Sequence, residues 1–287
     1  MSNVRKAHTG GDMSSGVSRR ALPGFGLGLG YAVVYLGLLV LIPLAACLVK
    51  AASLGPEEFL AAAWTPRARA AYALTFGVAL VAALVNVVLG TIVGWTLVRY
   101  EFPGRRLVDA LVDVPLALPT AVAGLVYASL YVKTGWLGQF LEPLGIQAAY
   151  SRLGIVLVLV FTGFPFVVRT IQPVLADIDV EFEEAGAVLG ASRWQTFRRV
   201  IFPMLIPPAL TGFALAFARG LGEYGSVVFI SSNKIFETEI APMLVLVRLE
   251  EYSYAEAAAI ATVLLGFSFI LLAAINYLER RSKRNGG

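Results

Sequence analysis

Residues 181–199 read EFEEAGAVLGASRWQTFRR, a compact polar stretch in a chain whose other long segments are mostly apolar. Its local signals are those of two short helices. Asp179 is placed to cap the first, and Glu181, Glu183 and Glu184 in the opening turn suit the positive end of a helix dipole; Gly190 supplies the stop. Ser192 then caps a second helix, Gln195 three residues later completes a capping box, and Pro203 is expected to end it. The spacing predicts a joint at Leu189-Gly190-Ala191, with Phe182, Ala185 and Leu189 along one face and Trp194, Phe197 and Ile201 along another. Helices this short cannot build a core of their own. They must be covered by the ends of neighbouring segments or by another protein.

The rest of the chain says what those neighbours are. Of 287 residues, 58% are hydrophobic and 15% charged, and the mean hydropathy is +0.76, whereas soluble domains carry roughly 25% charged residues. The chain is a membrane protein of the all-α class. Apolar blocks near or above the ~20 residues needed to cross a bilayer predict six spans, at about 27–49, 71–98, 108–131, 153–174, 208–230 and 257–278. They make one membrane domain over 25–280, between a polar, disordered tail at 1–24 and a short tail at 281–287. A cytoplasmic N-terminus puts most of the 23 Lys and Arg on the inner side, including Arg19, Arg20, Arg105, Arg106, Arg198, Arg199, Arg280 and Arg281. Both termini, and the loop 176–207 that holds the opening stretch, are then expected in the cytoplasm. The pI of about 9.2 follows from these span-end charges, with no basic and aromatic stripe for nucleic acid.

Several function classes lose their chemistry. One cysteine, Cys47, and one histidine, His8, offer neither an internal disulfide, nor a Cys/His metal site, nor a His-based catalytic pair. Leu44-Ala45-Ala46-Cys47 resembles a lipoprotein processing box. The apolar run around it is, however, too long for a signal peptide and follows a polar tail of about two dozen residues, so Cys47 is read as a buried small apolar residue. No Gly-Lys pair of a phosphate-binding loop occurs, so the chain does not hydrolyse ATP itself. An ion-gradient-driven transporter would need carboxylates in several spans, and only Glu223 lies deep.

Glu184-Ala185-Gly186, three residues, Gly190, nine residues, then Val200-Ile201-Phe202-Pro203 resembles the EAA loop of ABC importer permeases. The spacing is kept, with Gly186, Val200 and Phe202 departing from the pattern's alanine, isoleucine and leucine. Arg99–Arg106, Pro115–Gly124 and Arg219–Ser226 are similar to the sulfate and molybdate permease group. Within it, Leu189–Phe197 and Gly225–Ile230 are most similar to sulfate/thiosulfate permeases of the CysT type, with molybdate or tungstate import as the alternative. The resemblance implies a six-helix, MetI-like (type I importer) permease fold in a bacterial inner membrane. It also implies that Glu183, Glu184, Ala185, Gly186, Leu189, Gly190, Ala191, Ser192 and Trp194 couple the chain to a cytosolic ABC ATPase dimer. Other implied partners are a second, CysW-like permease and a periplasmic sulfate-binding protein. The chain itself binds no cofactor, ATP and Mg being used by the ATPase. A loop lying on lipid is the competing reading of the stretch, but its acidic first helix would be repelled by an anionic leaflet.

A passage for an oxyanion must replace its water with N–H groups, hydroxyls or a buried cation. Arg219 and Glu223, four residues apart in span five, are read either as lining that passage, together with Ser226, or as a permanent ion pair fixing the span. Pro115 and Pro119 in span three free backbone carbonyls, which suits a kink beside the passage or packing alone. Asn86 is expected to make an interhelical hydrogen bond.

Overall fold

The computed structural model describes residues 25–179 and 181–285. The expected tail 1–24 with His8 lies outside the described residues, as do the side chain of Glu183 and the last two residues. The chain divides into two units at Ala46/Cys47. In the first, α1 (Phe25–Leu36) passes through a π-helical turn (Gly37–Leu41) into α2 (Ile42–Ala52), and Tyr31 stacks on Tyr35 one turn away. Phe25–Ala52 is long and apolar enough to cross a membrane. Cys47 is a free thiol and half-buried, where full burial was expected.

The second unit begins within α2, at Cys47, and continues with α3 (Pro56–Ala63) and α4 (Pro66–Arg99). The start of α4 is fixed locally: Thr65 is the N-cap and accepts from the Ala68 N–H at 3.0 Å, with Pro66 at the first helical position. Then come α5 (Arg105–Val112), α6 (Val114–Ala117), α7 (Thr120–Tyr131), α8 (Gly138–Leu141) and α9 (Arg152–Asp177), capped by Ser151. The span expected at 108–131 is therefore three pieces. Pro119 has no N–H to give a continuing helix, and Leu118 before it turns extended (φ −78°, ψ 133°), as a residue preceding proline prefers.

The loop follows as α10 (Glu181–Val188), α11 (Arg193–Thr196) and a π turn (Phe197–Ile201) that runs directly into α12 (Phe202–Leu221). Pro203 does not end the second helix, contrary to expectation. It falls in the first turn of α12, after the wider π turn whose Phe202 N–H bonds Phe197 O, so its missing N–H breaks nothing. Span five thus covers Arg193–Leu221 in place of 208–230, and residues beyond it turn into α13 (Val227–Ile230). Two elements close the chain, α14 (Ala241–Glu250) and α15 (Tyr254–Asn285), which carries helix into the expected C-terminal tail.

Helices α4, α9 and α12 form the centre. One apolar cluster gathers Ala79 and Ala83 of α4, Val167, Ile171 and Leu175 of α9, and Ala216, Phe217 and Leu221 of α12. It reaches Ile178 and Ile201 on either side of the polar loop, so the loop's two ends are anchored in the same core as the spans. A second cluster joins α4, α7, α9 and α13 through Val78, Ala128, Val158 and Val227. Asn86 of α4 is buried at 1% exposure, and neither amide atom is hydrogen-bonded among the described residues, where the expected interhelical bond is absent.

Candidate functional site

The loop between α9 and α12 is built from strictly local caps. At the end of α10, Gly190 has φ +77°, its N–H bonds Ala187 O at 3.0 Å, and the Ala191 N–H bonds Gly186 O at 2.9 Å. This is the paired 5→2 and 6→1 closure of a Schellman stop, open at little cost only to glycine. Ser192 and Gln195 form the reciprocal capping box: Gln195 N–H donates to Ser192 Oγ at 3.3 Å and Ser192 N–H to Gln195 Oε1 at 2.8 Å. Gly186 lies where α10 crosses α11, and a Cβ there would stand 2.7 Å from Thr196 Oγ1. Glycine in place of the pattern's alanine thus lets the two helices close on buried Thr196, a residue the sequence reading did not single out.

The loop turns its apolar side chains outward. Leu189 is 86% exposed and Trp194 67%, with Val188 and Phe182 also exposed and Glu184 and Ala185 beside them. Trp194 stacks on Phe197, and Phe197 meets Trp95 of α4 edge-on, both at 5.6 Å between centroids. Arg99 lies over Trp95 at 5.8 Å and donates from Nη2 to Ile178 O at 3.0 Å. A groove of about 800 Å³ opens between the last turns of α4 and the loop, lined by Trp95, Tyr100, Glu184, Ala191 and Trp194. The loop therefore touches α4 through Phe197 and Trp95 while it offers an exposed apolar surface. Such a surface is characteristic of a docking site.

The second constellation lies after α12. Glu223 is beyond the helix end at Leu221, so it does not share a helical face with Arg219 as the spacing suggested. The two nevertheless form an ion pair, with the Glu223 side chain 2% exposed and Arg219 32%. Glu223 Oε1 also accepts from the Ser226 N–H at 2.9 Å and from Ser226 Oγ at 2.8 Å, so the buried carboxylate holds the turn that starts α13. Against this turn packs the start of α7: a Cβ on Gly124 would lie 2.8 Å from Ser226 Cα, and one on Gly225 would collide with Thr120. Pro119 is exposed and Pro115 half-buried. They set the break whose far side abuts the Ser226 turn.

A third cluster is not legible in the sequence, because its members lie in or beside separate helices. Arg169 of α9 pairs with Asp109 and Asp113, each at 2.6 Å. Asp109, in α5 and outside the long apolar helices, has its carboxyl held below the ordinary range by a hydrogen bond from Gln172 and then by Arg169, against the opposing effect of burial.

Comparison with known proteins agrees with this architecture. The "Sulfate transport system permease protein CysT" of Synechocystis sp. is 56% identical over 252 residues, 88% of either chain. That of Escherichia coli is 46% identical over 267 residues, 93% of this chain and 96% of that one. Among solved structures, a bacterial ABC transporter involved in the import of the acidic polysaccharide alginate superposes with a TM-score of 0.74 over 89% of this chain and 94% of that one. At 15% identity it supports the fold alone. Residues 86–284, which include the polar loop, all of α9 and the Arg219–Ser226 turn, match the family described as "Binding-protein-dependent transport system inner membrane component", and the chain belongs to that family.

Proposed function

We propose that this chain is the permease subunit of an ATP-driven importer that carries sulfate, and thiosulfate with it, across the inner membrane into the cell. The observation that carries the reading is the 56% identity, over 88% of both chains, to a sulfate transport permease. The chain is not an enzyme; ATP and Mg are used by a separate ATPase dimer. The other parts are a second, CysW-like permease and an extracytoplasmic sulfate-binding protein, and both termini lie on the cytoplasmic side.

In this reading the α10–α11 loop is the coupling helix. Leu189, Trp194 and Phe182 supply the apolar contact, Glu183 and Glu184 set register against a charged groove, and the Gly190 stop and Ser192 cap keep the joint rigid. A push on this surface passes through Trp194, Phe197 and Trp95 to α4, and through Ile178 to α9. At the passage, saturation of Glu223 by Ser226 and Arg219 favours a fixed turn. The part of the Arg219 guanidinium that remains exposed is then the cation offered to the anion, with Ser226 and the Pro115–Pro119 break shaping the wall.

The test is uptake of labelled sulfate into vesicles holding the whole complex, competed with thiosulfate and molybdate. Competition by molybdate alone would move the assignment to molybdate import. Glu184→Arg should abolish ATP-driven uptake, and normal uptake by that variant would remove the docking reading.

A further inference from the structure

The joint between α5 and α6 is fastened to α9 chiefly by Arg169. Arg169 donates from Nε and Nη2 to the two carboxylate oxygens of Asp113 at 2.9 and 2.6 Å, a bidentate fork that lysine cannot reproduce. From Nη1 it donates to Asp109 Oδ1 at 2.6 Å, and from Nη2 to the Asp109 carbonyl at 2.9 Å; Gln172 Nε2 adds a bond to the same Asp109 oxygen at 3.0 Å. Asp113 is the residue between α5 and α6, so the arginine grips their joint.

Apolar burial adds little within α5 itself. Of the eight residues of α5, Val112 alone is buried, against Leu97 and Val168, while Leu107, Val108 and Leu111 point outward. Downstream, the joint leads through the Pro119 break to α7 and to the close contact of Gly124 with the Ser226 turn. On the other side, α9 runs roughly two turns past Arg169 to Ile178, where the coupling loop starts and where Arg99 ties in α4.

We propose that Arg169 is a positioning residue for transport: it makes the α5–α6 joint follow α9. Displacement of the coupling loop is thereby carried to the Pro119 break and on to the turn beside Arg219. This rests on the docking reading above. Neither Arg169 nor its partners Asp109, Asp113 and Gln172 belong to the α10–α11 surface, so their loss leaves docking intact and unfastens only the passage end.

The measurement is ATP hydrolysed per sulfate imported, in reconstituted complexes containing the ATPase, the second permease and the loaded binding protein. Arg169→Ala should raise that ratio tenfold or more, with hydrolysis still stimulated by the binding protein. Arg169→Lys should fall between, and the exchanged pair Arg169→Asp with Asp113→Arg should recover part of the coupling. If Arg169→Ala does not assemble, the near-isosteric Asp113→Asn, which keeps the arginine, carries the same expectation. A proportional fall of hydrolysis and uptake, or an unchanged ratio, overturns the proposal. Failure of the docking reading looks different: Glu184→Arg would then retain the ATPase and import normally whatever Arg169 does.

Discussion

Gly124→Ala adds one methyl group at the point where α7 meets the turn after α12. The added Cβ would stand 2.8 Å from Ser226 Cα and 2.9 Å from its carbonyl carbon, whereas ordinary contact begins at 3.4 Å. These are backbone atoms, so no side-chain rotation relieves them, and α7 and the turn must part by roughly half an ångström or more in a close-packed interior. Overpacking of this kind costs about 1–3 kcal/mol. The gain in helix propensity from glycine to alanine returns at most ~1 kcal/mol. The net expectation is a loss of about 1–2 kcal/mol, a fall of several degrees in melting temperature at ~2–4 °C per kcal/mol for a chain of this size. The same displacement stretches the bonds from Ser226 to Glu223 and loosens the hold on Arg219, so sulfate uptake should drop alongside stability. Gly77→Ala and Gly266→Ala are internal controls, because nothing lies within 4 Å of an added Cβ at either helical position. They should be neutral or slightly stabilising. The assay is thermal unfolding of the purified complex in lipid nanodiscs with uptake measured in parallel. A Gly124→Ala protein as stable and active as the two controls would refute the packing argument.

Gly190→Val places a β-branched residue at φ +77° at a cost of about 1–2 kcal/mol; less ATPase should co-purify with the membrane complex. The Asp109 carboxyl is held below its ordinary value of 3.8, so its ion cluster favours the folded state above that pH and the contribution is lost as pH falls through the lowered value. The melting temperature of Asp109→Asn should accordingly lie below that of the wild type at pH 7, and the difference should shrink as the pH falls below 3.8. Asn86→Leu removes a buried amide that has no partner among the described residues, an unmet cost of about 1–3 kcal/mol. The variant should unfold at an equal or higher temperature, against the usual loss on replacing a buried residue.

The polar loop was legible because its signals are local. The Gly190 stop and the Ser192–Gln195 box each close within five residues, so spacing alone determines them. The third and fifth spans were misread for the converse reason. A hydropathy window averages across Pro119 and Gly222 and registers only that the stretch is apolar, and it cannot tell a proline that ends a helix from one that starts the next, as at Pro203. Arg169 is farther still from local reading. Its partners are 56 and 60 residues away, and only the packing of α5 on α9 brings them together. Arg219 and Glu223 meet through a turn that helical periodicity does not contain.

The breaks in these helices are not loose joints. At the first, Leu116 N–H bonds Asp113 O and Leu118 N–H bonds Val114 O; at the second, Ala123 N–H bonds Pro119 O; at the third, Ser226 N–H bonds the Glu223 carboxylate. In a bilayer each backbone group left unpaired would cost several kcal/mol, and a hinge that opened these bonds would incur that cost in every cycle. Motion between access states is therefore expected to keep α5–α6, α7 and the α12–α13 turn as whole pieces. Displacement is carried between them by contacts that are ionic or van der Waals and re-form when strained: the fork of Arg169 on Asp113, and the face of Gly124 on Ser226. A permease driven from one polar loop needs stiff segments joined by such re-formable contacts, because a flexible break would absorb the push before it reached Arg219.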